Sequence, residues 1–180
     1  MAKFTGNILA LDLATTTGWA YGRPGGKPNS GAVRFSKPGA GRAETYRAFL
    51  VWLTRFVAMT PCALITYESP AQPLLMMGRT NIDTIKRLIG MAENLEEWAH
   101  ERIELREASV QQVRAHFIGS NRHKRDDAKR LTIQRCRDLG WDVDGDDAAD
   151  ACALWSYQVC CLRPDVAAKM TVLGRVISEW

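Results

Sequence analysis

The chain has 180 residues and a net charge of +4, with 46% hydrophobic and 24% charged residues. That length and balance suit a single domain over 1–180 and exclude a disordered chain. No apolar run reaches the roughly 18 residues needed for a membrane span, and residues 1–11 lack the order of a secretory signal. Five cysteines, an odd number with no C-x-x-C, read as reduced thiols of a cytoplasmic protein. His100, His116 and His123 have no ligand-like spacing to them, which argues against zinc.

Ile8 to Leu13 is an apolar strand interrupted by Asp12. Leu9, Leu11 and Leu13 share one face and Ile8, Ala10 and Asp12 the other, so the strand reads as central in a covered sheet. A carboxylate there is costly to desolvate unless something pairs with it. It is either a turn-starting residue or a metal-binding or catalytic one. Thr15 to Gly18 is expected to turn the chain, with Gly18 supplying backbone freedom. Trp19 to Gly22 and Ser30 to Ser36 then continue an antiparallel meander. Ala43 to Met59 has apolar residues at helical spacing, and Pro61 ends it.

Cys62 to Glu68 is a second apolar strand ending in a carboxylate. A helical crossover makes it a parallel neighbour of the first, which brings Asp12 and Glu68 to one sheet edge. Gln72 to Thr80 is an irregular loop, and Asn81 caps the next helix. That helix, Ile82 to His100, carries two apolar rows, Ile82, Ile85, Ile89, Ala92, Ala99 and Leu88, Met91, Leu95, Trp98. The face is wider than one sheet contact needs, so the helix is expected either to pack on its own domain and on a second subunit or to be deeply buried.

A strand at Ile103 to Glu107 and a helix at Val110 to Phe117 follow. Eight basic residues lie between Val113 and Arg137, opposed only by Asp126 and Asp127. From Asp126 to Leu139 this segment is helical, with Ala128, Leu131 and Leu139 on one face and Arg130, Gln134 and Arg137 opposite. Asp138 to Asp150 then holds six aspartates and no base. A basic patch beside an acidic pocket suits a polyanion gripped by cations and cut with metal ions; a solvated helix followed by an acidic loop is the plain alternative.

The last motif is DGDDAADACALWSY, Asp144 to Tyr157. Asp147 and Asp150 share a helical face with Ala151 and Leu154, so that face points inward. Asp146 and Asp150, four apart, also share a face. Asp144 and Asp146 suit a helix cap. Asp165 to Trp180 reads as a closing helix with Val166, Met170, Leu173 and Ile177 in a row. No phosphate-cradling loop motif is present.

LALDLATTTGWAYG, LITYESP, VRAHFIGSNRHKRDDAKR and DDAADACALW, in this order, resemble the RuvC family of Holliday junction resolvases within the ribonuclease H-like superfamily. The resemblance covers about residues 6–160. It implies an α/β fold with a mixed five-stranded sheet flanked by helices, and a twofold homodimer through the 82–100 helix. It also implies a DNA endonuclease that resolves four-way or branched junctions by paired symmetric nicks, using two Mg²⁺ ions that Mn²⁺ can replace. Asp12 would bridge the ions, Glu68 would hold one, and Asp147 with Asp150 the other. Lys124 is the first choice for a catalytic cation, then Arg125 and Lys129. Arg114 falls where the family has a second basic residue, and Arg122 and Arg130 join these as DNA contacts.

The chain departs from the family at two points. Ala14 stands where RuvC proteins usually have Gly, and the turn is one residue shorter. Ala71 stands where an aromatic stacks on an unpaired base, which argues against a base-specific cut; Leu74, Leu75 or Met76 are candidates to wedge the junction instead. In both respects the chain resembles phage-type relatives. Competing expectations are another ribonuclease H-like nuclease, acting on RNA–DNA hybrids or as an integrase core, a non-catalytic binder of branched DNA, and an actin-like nucleotide-binding domain, for which 180 residues leave no second lobe.

Overall fold

The computed structural model describes residues 3–37, 39–70 and 81–167. Ala71, Leu74, Leu75, Met76 and the helix expected beyond Ala167 lie outside them.

β1 (Ile8–Asp12) is the centre of the fold, and Ile8 to Leu11 are fully buried. β2 (Thr16–Gly22) and β3 (Asn29–Arg34) fold back antiparallel beside it. α1 (Arg42–Met59) crosses over to β4 (Leu64–Glu68), which runs parallel to β1. α2 (Ile82–Ala99) then leads to β5 (Glu104–Ala108), parallel to β4. The mixed sheet has the order β3-β2-β1-β4-β5. α3 (Val110–Ile118), α4 (Arg125–Asp138), α5 (Asp146–Leu162) and the short α6 (Pro164–Ala167) complete the described chain.

Alternation along β1 divides the core. Leu9 and Leu11 join Phe49 and Leu53 of α1 and Met91 and Leu95 of α2 on one side of the sheet. Ile8 and Ala10 join Leu64, Val113 and Phe117 of α3, Cys136 of α4 and most of α5 on the other. The α1 side is rich in large rings: Trp19 and Trp52 both pack on Phe56, at 5.1 and 5.0 Å between ring centres. On the α5 side Ala148, Ala149, Ala151 and Cys152 are fully buried, and small side chains let that helix lie close to the sheet.

The expected helix caps are partly borne out. The Asn81 side chain accepts from the Asp83 amide at 2.8 Å. At α5 the cap is Gly145, φ 96°, with no side-chain bond, so neither Asp144 nor Asp146 caps that helix. The inward face of α4 is Ala128, Thr132 and Cys136, while Leu131 is only half-buried. This rotates the helix from the face expected through Leu131. Gly18 differs from expectation most. It lies inside β2, opposite Asp12, with no positive φ, so the turn is confined to Leu13–Thr15. The buried Thr17 hydroxyl closes that turn, donating to the Ala14 carbonyl at 2.7 Å and accepting from its amide at 3.3 Å. Ala14 needs no positive φ there, which is why a glycine is dispensable at this position.

Candidate active site

Asp12 ends β1 on the same face as Ile8 and Ala10, the face covered by α5. The parallel register pairs Leu64 with Ile8 and Tyr67 with Leu11. One step further along both strands, Glu68 stands beside Asp12, and alternation places it on the Leu64 face as well. Two apolar strands therefore deliver two carboxylates to one edge.

The helix acids arrive by close approach. A Cβ on Gly18 would stand 1.9 Å from the backbone carbonyl oxygen of Asp147 and 2.5 Å from its carbonyl carbon. Only a bare α carbon lets the first turn of α5 rest on β2 directly opposite Asp12. Asp150 follows one turn later on a helix whose neighbouring Ala149 and Ala151 are fully buried.

These acids feel one another. Burial, then Asp150, Asp147 and Asp146, push Asp12 up from 3.8 to about 7. Burial, then Asp12 and Asp150, push Glu68 up to about 8, with Arg114 opposing. Asp150 is raised to about 6, chiefly by burial and against the pull of Arg114 and Lys129. Asp147 is raised by burial and by Asp146. Asp146 moves the other way, because an ion pair with Lys129 holds it ionised.

Two cations thus belong to the cluster, Lys129 of α4 and Arg114 of α3. Lys129 favours the charged forms of Asp12, Asp147 and Asp150; Arg114 favours those of Glu68 and Asp150. Lys124 occupies the N-cap position of α4 and is exposed, as are Arg122, Arg125 and Arg130. Arg130 also pairs with Asp127 at 3.5 Å. The sequence marked Arg114 only as a DNA contact and left Gly18 as a turn residue. Nothing local in a strand glycine signals a helix backbone packed on it.

A cleft of about 200 Å³ opens beside the acids, lined by Asp12, Leu13, Glu68, Ser69, Pro70, Leu88 and Val110. Among the described residues no three acids enclose one point as their side chains stand. The donor chemistry fits a hard divalent cation all the same. The four acids offer only carboxylate oxygens, and crowded buried carboxylates stay ionised together only against added positive charge.

A mixed sheet ordered β3-β2-β1-β4-β5, with acids at the ends of β1 and β4 and at the start of a late helix, is a ribonuclease H-like architecture. Among solved structures, Thermus thermophilus RuvC in complex with Holliday junction substrate matches with a TM-score of 0.65 at 12% identity, over 94% of this chain and 96% of that one. Thermus thermophilus RuvC on its own matches with a TM-score of 0.59 at 12% identity, over 89% and 97%. The yeast mitochondrial Holliday junction resolvase Ydc2 matches with a TM-score of 0.60 at 14% identity, over 94% and 82%. The chain therefore has the RuvC-like fold. No protein-family model and no curated protein sequence matches it.

Proposed function

We propose that this chain is a divalent-metal-dependent DNA endonuclease that resolves four-way or branched junctions as a homodimer. The observation that carries the reading is the gathering of Asp12, Glu68, Asp147 and Asp150 at one sheet edge with Lys129 and Arg114. Its support is the likeness of the whole fold to a RuvC bound to a Holliday junction.

Asp12, Glu68, Asp147 and Asp150 would hold two Mg²⁺ ions. Bound there, such a pair supplies an activated water and neutralises charge on the leaving oxygen of a phosphodiester. Lys129 is the cation we assign to the scissile phosphate, since it stands among the acids and keeps 35% of its side chain exposed. Arg114 opposes the rise of Glu68 and Asp150 and so favours the ionised forms that would ligate. Arg122, Lys124, Arg125 and Arg130 line the exposed approach on and before α4, and would grip phosphates with little regard to base sequence.

The dimer is assigned to α2. Ile82 is 65% exposed, and Leu88 and Ile89 are only half-buried, which leaves part of the apolar face open for a twofold partner. Two sites across a twofold suit paired, symmetric nicks. The free thiols Cys136 and Cys152 are buried and suit a reducing cytoplasm.

The test is cleavage of an immobile synthetic four-way junction with Mg²⁺ or Mn²⁺, beside plain duplex and an RNA–DNA hybrid. Symmetric paired nicks on the junction are expected. Preferential cutting of the hybrid would replace this reading with a ribonuclease, and equal cutting of duplex would remove junction selectivity.

A further inference from the structure

Asp146 has no place in the ligand set proposed above, although it adds a fifth carboxylate to a crowded site. Its charge raises Asp12, Asp147 and Asp150. Among the described residues its side-chain partner is Lys129: the ammonium and the carboxylate form an ion pair, with 35% and 38% of the two side chains exposed.

We propose that Asp146 is a positioning residue, which parks the Lys129 ammonium beside the ligand carboxylates rather than on them. The proposal rests on the reading of Asp12, Asp147 and Asp150 as metal ligands. Three features support it. The first is that both ends of the pair are anchored. Lys129 rises from a helix seated on α5, where the buried Cys136 lies 4.0 Å from the Ala149 carbonyl. Asp146 is the first residue of α5, fixed one step before the Asp147 backbone that lies on Gly18.

The second feature is competition. Lysine is a compact charge on a flexible stem, and the neighbouring anions are the very carboxylates an incoming cation needs. Without Asp146 the ammonium would settle on them and oppose metal entry. The third is spare capacity. An ammonium has three donors, and a single bond to Asp146 leaves two for the oxygens of a phosphate arriving from the open side. Asp146 and Asp150 share a helical face, so a direct ligand role is the competing assignment. The engagement of Asp146 with Lys129 argues against it.

A double-mutant cycle with Asp146→Asn and Lys129→Met separates the two. Mn²⁺ binding is followed by electron paramagnetic resonance without DNA. The Lys129 ammonium is followed by ¹⁵N NMR in metal-free protein, its signal assigned by its loss in Lys129→Met. Asp146→Asn is expected to shift or broaden the ammonium signal. It should weaken Mn²⁺ binding about tenfold when Lys129 is present but less than about twofold in the Lys129→Met background. Equal losses in both backgrounds would make Asp146 a ligand or a simple charge and overturn the proposal, as would an unmoved ammonium signal. Failure of the nuclease reading looks different: wild-type protein that binds Mn²⁺ but cuts no junction leaves the cycle to decide the role of Asp146.

Discussion

The two faces of the central strand are built to opposite ends. Leu9 and Leu11 look into a face of large rings and aliphatics, where Phe49, Leu53, Met91 and Leu95 are all buried. Ala10 and Asp12, their neighbours in sequence, look toward α5, where alanines bring a helix backbone against the sheet and carboxylates crowd at its edge. One face gains stability from bulk. The other gives up stability to hold like charges together, as functional sites commonly do. Adjacent residues of β1 therefore have separable roles, and substitutions can test the separation.

The largest contrast is between Asp12→Asn and Leu11→Ala. Asp12→Asn keeps the shape and removes the carboxylate proposed as a metal ligand, so junction cleavage is expected to fall by about 10³-fold or more, near 4 kcal/mol of barrier. Junction binding in Ca²⁺ should survive, and the metal-free protein should melt at a higher temperature than wild type because one repelling charge is gone. Leu11→Ala empties a fully buried site and is expected to cost about 2–5 kcal/mol of stability. Its cleavage, measured where it is folded, should stay within a few-fold of wild type. Paired melting and single-turnover assays check both; an Asp12→Asn protein that loses junction binding and melts early would assign Asp12 to folding.

Two glycines carry the comparison into packing. Gly18 faces the Asp147 backbone, which has nowhere to go. Gly90 of α2 faces the Tyr46 hydroxyl, 2.2 Å from where a Cβ would stand, but that is the tip of a half-buried side chain able to swing. Gly18→Ala should cost about 3 kcal/mol and, by lifting the start of α5, weaken Mn²⁺ binding at least about tenfold. Gly90→Ala loses the Tyr46 bond to the Lys86 carbonyl, 3.0 Å, yet gains helix propensity, so a change within about 1 kcal/mol is expected. Chemical denaturation with Mn²⁺ titration distinguishes them.

What could be read from the sequence follows the range of the interactions. Both strand acids and the D-A-A-D spacing were legible because alternation and helical periodicity are local rules, and a crossover fixed the parallel pairing of β1 and β4. The five-stranded mixed sheet followed from the same rules together with the family resemblance. The task of Gly18 was hidden, since it depends on a helix more than 120 residues away settling on one strand position. The choice among Lys124, Arg125 and Lys129 was hidden for a related reason. All three fall within two turns of one basic segment, and only the rotation of α4, seated on Ala128, Thr132 and Cys136, sets which cation meets Asp146.

The pH dependence of stability is the most direct measure of the strain on the α5 face. In the metal-free fold Asp12, Glu68 and Asp150 are raised to about 7, 8 and 6, all above their ordinary values near 4. Between about pH 4 and 8 the folded chain therefore holds more protons than the unfolded one. Stability from these groups is full below that window and is lost as pH rises through it. Two neighbours do not disturb the trend in the same direction. His116 is lowered by burial and by Arg135, so it favours folding as pH climbs past its ordinary range. Asp146, lowered by Lys129, acts only on the acid side of the window. Metal-free wild type should lose on the order of 5 °C in melting temperature between pH 5 and 8 relative to Asp12→Asn. Mg²⁺ should restore more of that at pH 8 than at pH 5, because only ionised carboxylates bind it. A wild-type profile parallel to that of Asp12→Asn, with equal Mg²⁺ stabilisation at both pH values, would mean that the acids at this edge do not repel one another, and would make the two faces of β1 energetically alike.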